Sequence, residues 1–194
     1  MKKLTIYLVV AVVAISTAAF MNTTVKTLEA NHSTDDFIAF LAETKSYTLE
    51  LAEAMPADKY TFRPHDSIRS FGEQMAHIGM SSGFLLNLFI KGEPFPTDPN
   101  AFAEIGKMEK TMGLSKEECI KGITAAFEEI ETTYKSMDEA ALKETFTVAF
   151  DPEQPKFSKQ KGFTFIKEHM IHHRGQALVA LRMQGIKAPS YRLY

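Results

Sequence analysis

Cysteine is nearly absent from this sequence of 194 residues, in which Cys119 is the only one. No intramolecular disulfide can form, so the stability of the fold must come from a packed core. Cys119 itself lies within a helical pattern of apolar residues. It is therefore expected to be a small buried residue rather than a nucleophile.

Basic charge is not in excess either, because 22 Lys and Arg side chains stand against 24 Asp and Glu side chains. Since no basic stripe is present, nucleic acid is excluded as an expected partner. The sequence also lacks a Ser-His-Asp or Cys-His arrangement, a glycine-rich phosphate loop, an internal repeat and a low-complexity tract. These absences disfavour the nucleophilic hydrolases and the phosphate-loop proteins.

Only one long hydrophobic run occurs, at residues 4–19, and it follows the basic start Met1-Lys2-Lys3. A basic start, an apolar run and small residues at its end predict a secretory signal peptide over residues 1–20, with cleavage near residues 18–21. The alternative is an uncleaved anchor helix, but the run is short for a bilayer. No cysteine follows the run, so a lipoprotein is not expected.

Cleavage would leave 20 basic and 24 acidic side chains and a formal charge of −4. No second apolar stretch is long enough to cross a membrane, so the mature chain is expected to be exported, either to the periplasm or to the medium. Residues 21–32 are polar and without period, which is typical of a linker. Residues 33–194 are predicted to form one domain.

Four amphipathic helices are predicted within this domain, at residues 33–54, 70–91, 115–137 and 163–184. The first three begin at sequences with the spacing of a capping box, in which Ser33, Ser70 and Ser115 are each followed three residues later by an acidic residue. Proline or glycine follows the predicted ends of three of them. Four such helices and little strand signal predict an all-α fold, a four-helix bundle.

Two connections are less regular. Residues 93–113 contain three prolines and are predicted to form a long crossover connection with a short helical turn near Phe102–Met108. Such a crossover is needed if two neighbouring helices of a bundle run parallel. Residues 138–161 are predicted to be a loop with a short extended piece at 145–150.

The candidate chemistry lies in a histidine pair, His169 and His173, which are four residues apart on the last helix. Positions at this spacing lie about 40° apart around a helix axis, so two imidazoles can bind one metal ion. His77 on the second helix could complete a three-ligand site with an open position. His172 could instead be a ligand, a partner of a ligand or a rim residue, and His77 alone is equally a hydrogen-bonded residue of a buried face.

Weaker candidates surround this pattern. Glu73 lies one turn before His77 and could orient a water molecule, but it is also the last residue of the Ser70 capping box. Gln176 could hydrogen-bond a ligand or bridge two helices. Arg174 is expected to make a structural ion pair or to fix a loop, and no committed catalytic base is apparent.

Several segments together resemble the DinB/YfiT-like superfamily of metal-binding four-helix bundles. They are Tyr60-Thr-Phe-Arg-Pro64, Ser70-Phe-Gly-Glu-Gln-Met-Ala-His-Ile78, His169-Met-Ile-His-His-Arg-Gly-Gln176 and Leu181-Arg-Met-Gln-Gly185 with Pro189. The resemblance covers nearly all of the predicted mature chain in the same order. It implies a metal triad that falls on His77, His169 and His173.

The same resemblance implies a divalent ion and an enzymatic role. Zn²⁺ is the expected ion, and three imidazoles also suit Ni²⁺ or Fe²⁺. Relatives of this kind are metal-dependent hydrolases or thiol-dependent S-transferases acting on small molecules, and they often form homodimers. The alternatives are a non-catalytic metal-binding or stress-related bundle and a purely structural dimeric bundle. Export disfavours the transferase, because the small thiols that relatives use are cytosolic.

Overall fold

The computed structural model describes residues 36–192, which are predominantly helical. Their regular elements are α1 (36–54), α2 (Phe71–Leu86), α3 (Ala101–Met112), α4 (Lys116–Lys135), α5 (Glu139–Lys143), β1 (Thr145–Thr147), β2 (Lys156–Ser158) and α6 (Lys159–Met183). The predicted signal peptide, the linker at 21–32 and the capping box at Ser33 lie outside the described residues. None of the described helices is both long and apolar enough to cross a bilayer.

The chain divides into two units, Met1–Ala39 and Phe40–Tyr194. Only residues 36–39 of the first unit are described, and they form the first turn of α1. The second unit contains the rest of α1 and every other described element. It also contains all of the residues discussed below.

The start of α2 follows from its capping box. The backbone N–H of Glu73 donates to the hydroxyl of Ser70 at 3.2 Å, and the Glu73 carboxylate accepts from the backbone N–H of Ser70 at 2.9 Å. Both bonds satisfy amide groups that the first helical turn leaves without a partner. The helix continues through a wider π-helical turn, Asn87–Lys91, to Gly92 with φ 77°. The predicted limits of this helix are therefore confirmed.

Opposite directions are seen for two pairs of helices. Lys45 of α1 pairs with Glu128 of α4, whereas Glu53, further along α1, pairs with Lys116 at the beginning of α4. These two helices are therefore antiparallel. The α2 and α6 helices are antiparallel as well, because Gln74 contacts Gln176 while Ser81 contacts His169.

The α2 and α4 helices run parallel and pack closely. Near their beginnings the thiol of Cys119 lies 3.5 Å from the carbonyl oxygen of Gly72, and further along Gly79 faces the backbone of Gly122. Two parallel neighbours require a crossover connection, which is the segment that contains α3. Cys119 is fully buried, and burial raises the pKa of its thiol to about 12, so it is the inert residue predicted.

Two predictions for the connections are wrong in extent. The crossover contains a full twelve-residue helix, α3, rather than a short turn, because all three of its prolines precede Ala101 and nothing interrupts the helix before Gly113. Residues 138–161 contain the helix α5 and the antiparallel pair β1 and β2, in which Phe146 faces Phe157. The last helix begins at Lys159 instead of residue 163, because the Ser158 hydroxyl caps it by accepting from Lys161 N–H at 3.2 Å.

Candidate metal centre

The structure brings together the three predicted histidines, although His77 is 92 positions before His169 in the sequence. His77 comes from α2, and His169 and His173 come from consecutive turns of α6. One ligand atom of each histidine lies within 4.8 Å of the corresponding atoms of the other two. The imidazole centroids are 5.3 Å apart for His77 and His169 and 4.2 Å apart for His77 and His173. Three side chains so placed could hold one metal ion.

A carboxylate orients the first of these imidazoles. Nδ1 of His77 lies 2.5 Å from an oxygen of Glu109, a buried residue of α3. The other oxygen of Glu109 accepts from Arg69, whose Nε is 3.3 Å away. Burial by itself raises the pKa of Glu109, but the hydrogen bond and charge of His77 and the charge of Arg69 outweigh it and lower the pKa. The carboxylate is therefore ionised and can only accept, so Nδ1 of His77 carries the proton.

Glutamine side chains orient the second imidazole. Nδ1 of His173 lies 2.9 Å from the carbonyl oxygen of Gln74, which only accepts, so His173 donates. The amide nitrogen of Gln74 then donates to the carbonyl oxygen of Gln176 at 2.8 Å. The amide nitrogen of Gln176 in turn donates to Nε2 of His172, also at 2.8 Å. A line of hydrogen bonds thus runs from the buried His173 to the exposed His172.

A serine orients the third imidazole. The hydroxyl of Ser81 donates to the carbonyl oxygen of His77 at 2.6 Å and lies 3.3 Å from Nδ1 of His169. Because the hydroxyl proton is already used, Ser81 accepts from His169. Each of the three imidazoles therefore has its Nδ1 atom engaged by an acceptor, so Nε2 is the ring atom that remains to bind a metal ion. A histidine metal site with outer hydrogen-bond partners has this arrangement.

Two of the histidines are held neutral by their surroundings. Burial, together with repulsion from His77 and other neighbouring positive charges, lowers the pKa of His169 to about 4 and that of His173 to about 3. A neutral imidazole is the form that binds a metal ion. At neutral pH these two histidines are thus ready to act as ligands without first losing a proton.

A cavity of about 560 Å³ opens beside the histidines. His77 and His169 form part of its wall, whereas His173 does not line it. The rest of the wall is mainly apolar and comes from α2, the crossover with α3, and the turn after β1. Its aromatic members are Phe84, Phe95, Phe102 and Phe150. The volume falls within the range of about 300–1,000 Å³ that is usual for small-molecule sites.

The weaker candidates lie away from this cavity. Glu73 is buried at the start of α2, where its carboxylate accepts from Arg63 at 2.6 and 2.7 Å as well as from Ser70, and it does not line the cavity. Its capping role is observed. Gln176 bridges α6 to α2, which is one of the two roles predicted for it. Arg174 lies over the ring of Tyr47 of α1 at 4.5 Å, on the far side of α6.

His172 does not join the other three histidines. Its side chain is exposed, and its Nε2 accepts the hydrogen bond from Gln176. Of its three predicted roles, the structure therefore favours a partner in the hydrogen-bond line rather than a ligand. The histidines that converge with His77 are His169 and His173, the pair that helical spacing favours.

Sequence reasoning missed Glu109, Gln74 and Arg69. A signal for Glu109 was available, because it shares one face of a helical pattern with the apolar residues Phe102, Ile105 and Met112. An acidic residue on an otherwise apolar face indicates a buried carboxylate with a partner. Gln74 lies three residues before His77 and therefore on the same side of α2, but its partner is 99 positions away. No local signal indicates that contact.

The comparison with protein families gives one clear match. A sequence model described as the DinB superfamily matches residues 41–177, which includes α2, α4, the three histidines and their outer hydrogen-bond partners. No protein of curated function matches the chain.

Three solved structures with a similar fold come from two Bacillus species. A DinB-like protein from Bacillus cereus ATCC 10987 has a TM-score of 0.63 at 14% identity and covers 81% of this chain and 97% of its own. The DinB-like protein YjoA from Bacillus subtilis has a TM-score of 0.59 at 18% identity, with 82% and 99% covered. YfiT from Bacillus subtilis has a TM-score of 0.61 at 17% identity, with 79% and 89% covered, and is described as a probable metal-dependent hydrolase with an unusual four-helix bundle topology.

Proposed function

Because the chain belongs to the DinB superfamily, we propose that it is a metal-dependent hydrolase in which His77, His169 and His173 hold one divalent ion. The observation that carries the proposal is the convergence of three imidazoles whose Nδ1 atoms are all engaged, two of which line a cavity. Zn²⁺ is the expected ion, while Ni²⁺ and Fe²⁺ suit the same ligands. The description of YfiT as a probable metal-dependent hydrolase supports this class of reaction.

The residues present fit such an ion. Three imidazole nitrogen donors and a carboxylate behind one of them form the usual composition of a catalytic zinc site, which keeps a further position open. The ion, when bound, supplies Lewis-acid chemistry, which lowers the pKa of a water molecule or thiol and polarises an electrophilic group. Glu109, Gln74 and Ser81 fix the orientation and tautomer of the three ligands.

The chain's own residues also arrange the substrate. The cavity admits a small molecule from solvent and brings it against His77 and His169, while its apolar wall excludes water from the remaining volume. The cavity also speaks against a non-catalytic metal site. Such a site would be expected to have no space for a ligand beside it.

One observation favours a thiol-dependent S-transferase as a second candidate. Glu109 is the only carboxylate among the described residues that line the cavity, and both of its oxygens are already bonded, to His77 and Arg69. A hydrolase benefits from a free base that takes a proton from water. A thiol is acidic enough to lose its proton at a metal without such a base.

Metal content is the decisive measurement for the site. Natively purified protein is expected to contain one equivalent of a divalent metal by elemental analysis, and His173→Ala is expected to lose it. His65→Gln is the matched control, because His65 is an exposed histidine whose side chain is bonded only to Ser67 in the described contacts. Retention of metal by His173→Ala would reject the site, and loss of metal in His172→Ala alone would move it to His172.

The reaction class is tested on the metal-loaded protein. Ester, amide and phosphate substrates and a thiol-transfer panel are offered to wild type and to His173→Ala. Turnover of an ester or amide that requires His173 supports the hydrolase, and turnover only with added thiol supports the transferase. Stoichiometric metal without any turnover would favour the non-catalytic metal-binding bundle.

Export is part of the same proposal. We propose that residues 1–20 direct the chain out of the cytosol and are removed near residues 18–21. Mass spectrometry of the protein recovered from the periplasmic fraction or from the medium should show a chain whose first residue lies near positions 18–21. Recovery of only the full-length cytosolic chain would contradict export and would remove the argument against a cytosolic thiol.

A further inference from the structure

We infer that the cavity beside the histidines takes an uncharged, elongated apolar compound whose single polar group points to His77 and His169. The inference names the substrate class of the proposed enzyme and to that extent rests on the proposed function. It depends on three features of the cavity. They are its aromatic wall, its paired charges and its exposed apolar rim.

The aromatic wall is continuous. The ring of Phe102 lies 6.3 Å from that of Phe84 and 5.5 Å from that of Phe95, and the ring of Phe95 lies 6.1 Å from that of Phe150. These four rings come from α2, from the crossover before α3, from α3 itself and from the turn after β1. Aromatic side chains supply large apolar surfaces, and their faces and edges favour contact with aromatic or aliphatic groups.

The charges in the wall are already paired. Apart from the histidines, the charged lining residues are Arg69 and Glu109, and these two form an ion pair with an N–O distance of 3.2 Å. Away from the ion that the histidines would hold, a charged group on a substrate would therefore have no unpaired counter-charge among the described lining residues. Burial of an unpaired charge against apolar walls is strongly unfavourable. The apolar part of the cavity should accordingly bind a neutral compound more tightly than an anion or a cation of the same size.

The rim of the cavity exposes apolar surface that a ligand would cover. Phe102 is 50% exposed, Phe150 47% and Met108 60%, and all three line the cavity. Large apolar side chains grouped at the mouth of a cavity mark a site for an apolar partner. A second copy of the chain is a less suitable occupant, because these side chains surround a concavity instead of forming a flat face.

The part of the wall formed by the histidines decides the orientation of the compound. Ser81 and Glu109 are already hydrogen-bonded to the histidines and to Arg69, so they offer little to a substrate. The remaining polar groups on this side, among the described lining residues, are the imidazoles of His77 and His169 with the ion that they would hold. The polar, reacting group of the substrate therefore lies at the histidines, and its apolar remainder lies along Phe84 and Phe102.

The charge preference is tested by calorimetric binding to metal-free protein. Three probes of equal length are compared: 4-phenylbutanamide, 4-phenylbutanoate and 4-phenylbutylamine, which are neutral, anionic and cationic. Metal-free protein is used because a carboxylate would coordinate a bound ion regardless of the walls. The neutral amide should bind at least about tenfold more tightly than either charged probe. Equal binding of the three, preference for a charged probe, or no binding of any probe would overturn the inference.

The apolar wall is tested by length and by substitution. From phenylacetamide to 4-phenylbutanamide, each added methylene should raise affinity about fourfold. Phe102→Ala and Phe150→Ala should each lower the affinity for 4-phenylbutanamide and reduce the gain in affinity with each methylene. Tyr191→Ala is the control and should have no effect, because Tyr191 is exposed and does not line the cavity. Circular dichroism shows whether each variant is folded. A series that stays steep in both folded phenylalanine variants would also overturn the inference.

These outcomes are separable from those of the proposed function. A protein that holds metal through His173 but shows a flat or charge-selective series would refute the substrate class alone. A protein that binds the neutral series but holds no metal and turns over no substrate would refute the enzyme alone.

Discussion

The two faces of α2 are built on opposite principles. Toward α4 and the turn before it, the helix presents glycines. A Cβ atom on Gly72 would lie 1.9 Å from the carbonyl oxygen of Gly113 in that turn, and a Cβ atom on Gly79 would lie 3.0 Å from the backbone of Gly122 in α4. Toward α6 and α3 it presents Gln74, His77 and Ser81, each hydrogen-bonded to a polar partner. The first face fixes the position of the helix by steric contact. The second can then carry polar side chains, because their partners are held at defined distances.

The largest expected effect comes from breaking the first face. Gly72→Ala would place a methyl group against backbone that cannot move aside, and we expect it to lower the free energy of unfolding by roughly 3 kcal/mol or more. Gly83→Ala is the matched control, because Gly83 is in the same helix and an added Cβ would meet nothing within 4 Å. That variant should be neutral or slightly stabilising, since alanine favours a helix over glycine by about 1 kcal/mol. Urea denaturation measures both, and equal stability of the two would refute the steric account.

The second face is broken most directly at Glu109. Removal of its carboxylate leaves Nδ1 of His77 without an acceptor, so we expect Glu109→Ala to weaken Zn²⁺ binding by about 10- to 100-fold. Glu109→Gln, which keeps an acceptor oxygen without the charge, should lose less. Glu104→Gln is the control on the same helix, because Glu104 is exposed and pairs with Lys107. Competition with a chromogenic chelator gives the affinities, and unchanged binding in Glu109→Ala would contradict the role of this carboxylate.

A smaller loss is expected at Gln74. Gln74→Leu removes the acceptor of His173 and the donor to Gln176, and should weaken Zn²⁺ binding by about tenfold. Gln74→Glu keeps the acceptor for His173 and should retain more of the affinity. If the two variants bind Zn²⁺ equally well, the hydrogen bond from His173 has no part in orienting the ligand.

The smallest expected effect is on the pH dependence of stability, which the histidines on the second face of α2 and on α6 should influence. The pKa values of His169 and His173 in the fold, about 4 and about 3, are below their ordinary value of 6.5. The unfolded chain therefore binds more protons below about pH 6.5, so the metal-free protein should lose stability as the pH falls from 7 to 5, by on the order of 1 kcal/mol for each histidine. His173→Asn should reduce this slope, and His65→Gln should not. If the loss of stability between pH 7 and pH 5 is unchanged in His173→Asn, protonation of His173 does not destabilise the fold.

The helical framework was largely predictable, because its signals are local. The capping box of Ser70 and Glu73, the glycine at position 92 and the apolar face of α4 each lie within a few residues of the element that they define. The crossover helix α3 was underestimated. Its propensity pattern is interrupted by polar residues, and its stability derives from packing against α2, as in the contact of Phe102 with Phe84.

The candidate site was predictable in part for the same reason. The spacing of His169 and His173 placed them on one side of α6, and the resemblance to a known family selected His77 as their partner. Glu109 and Gln74 could not be assigned, because their roles depend on partners that are 32 and 99 positions away. Local periodicity predicts which way a side chain faces but not what it meets.

The amino-acid sequence alone thus determined where the long helices lie, why they begin and end, and that two histidines share one side of the last helix. These properties depend on hydrogen bonds and side-chain spacing within one or two helical turns. Only the tertiary structure decided that His77 reaches that pair, that a carboxylate from the crossover stands behind it, and that an apolar cavity opens beside them. Such contacts exist only once the close approach of α2 and α4 and the antiparallel packing of α6 bring distant segments together.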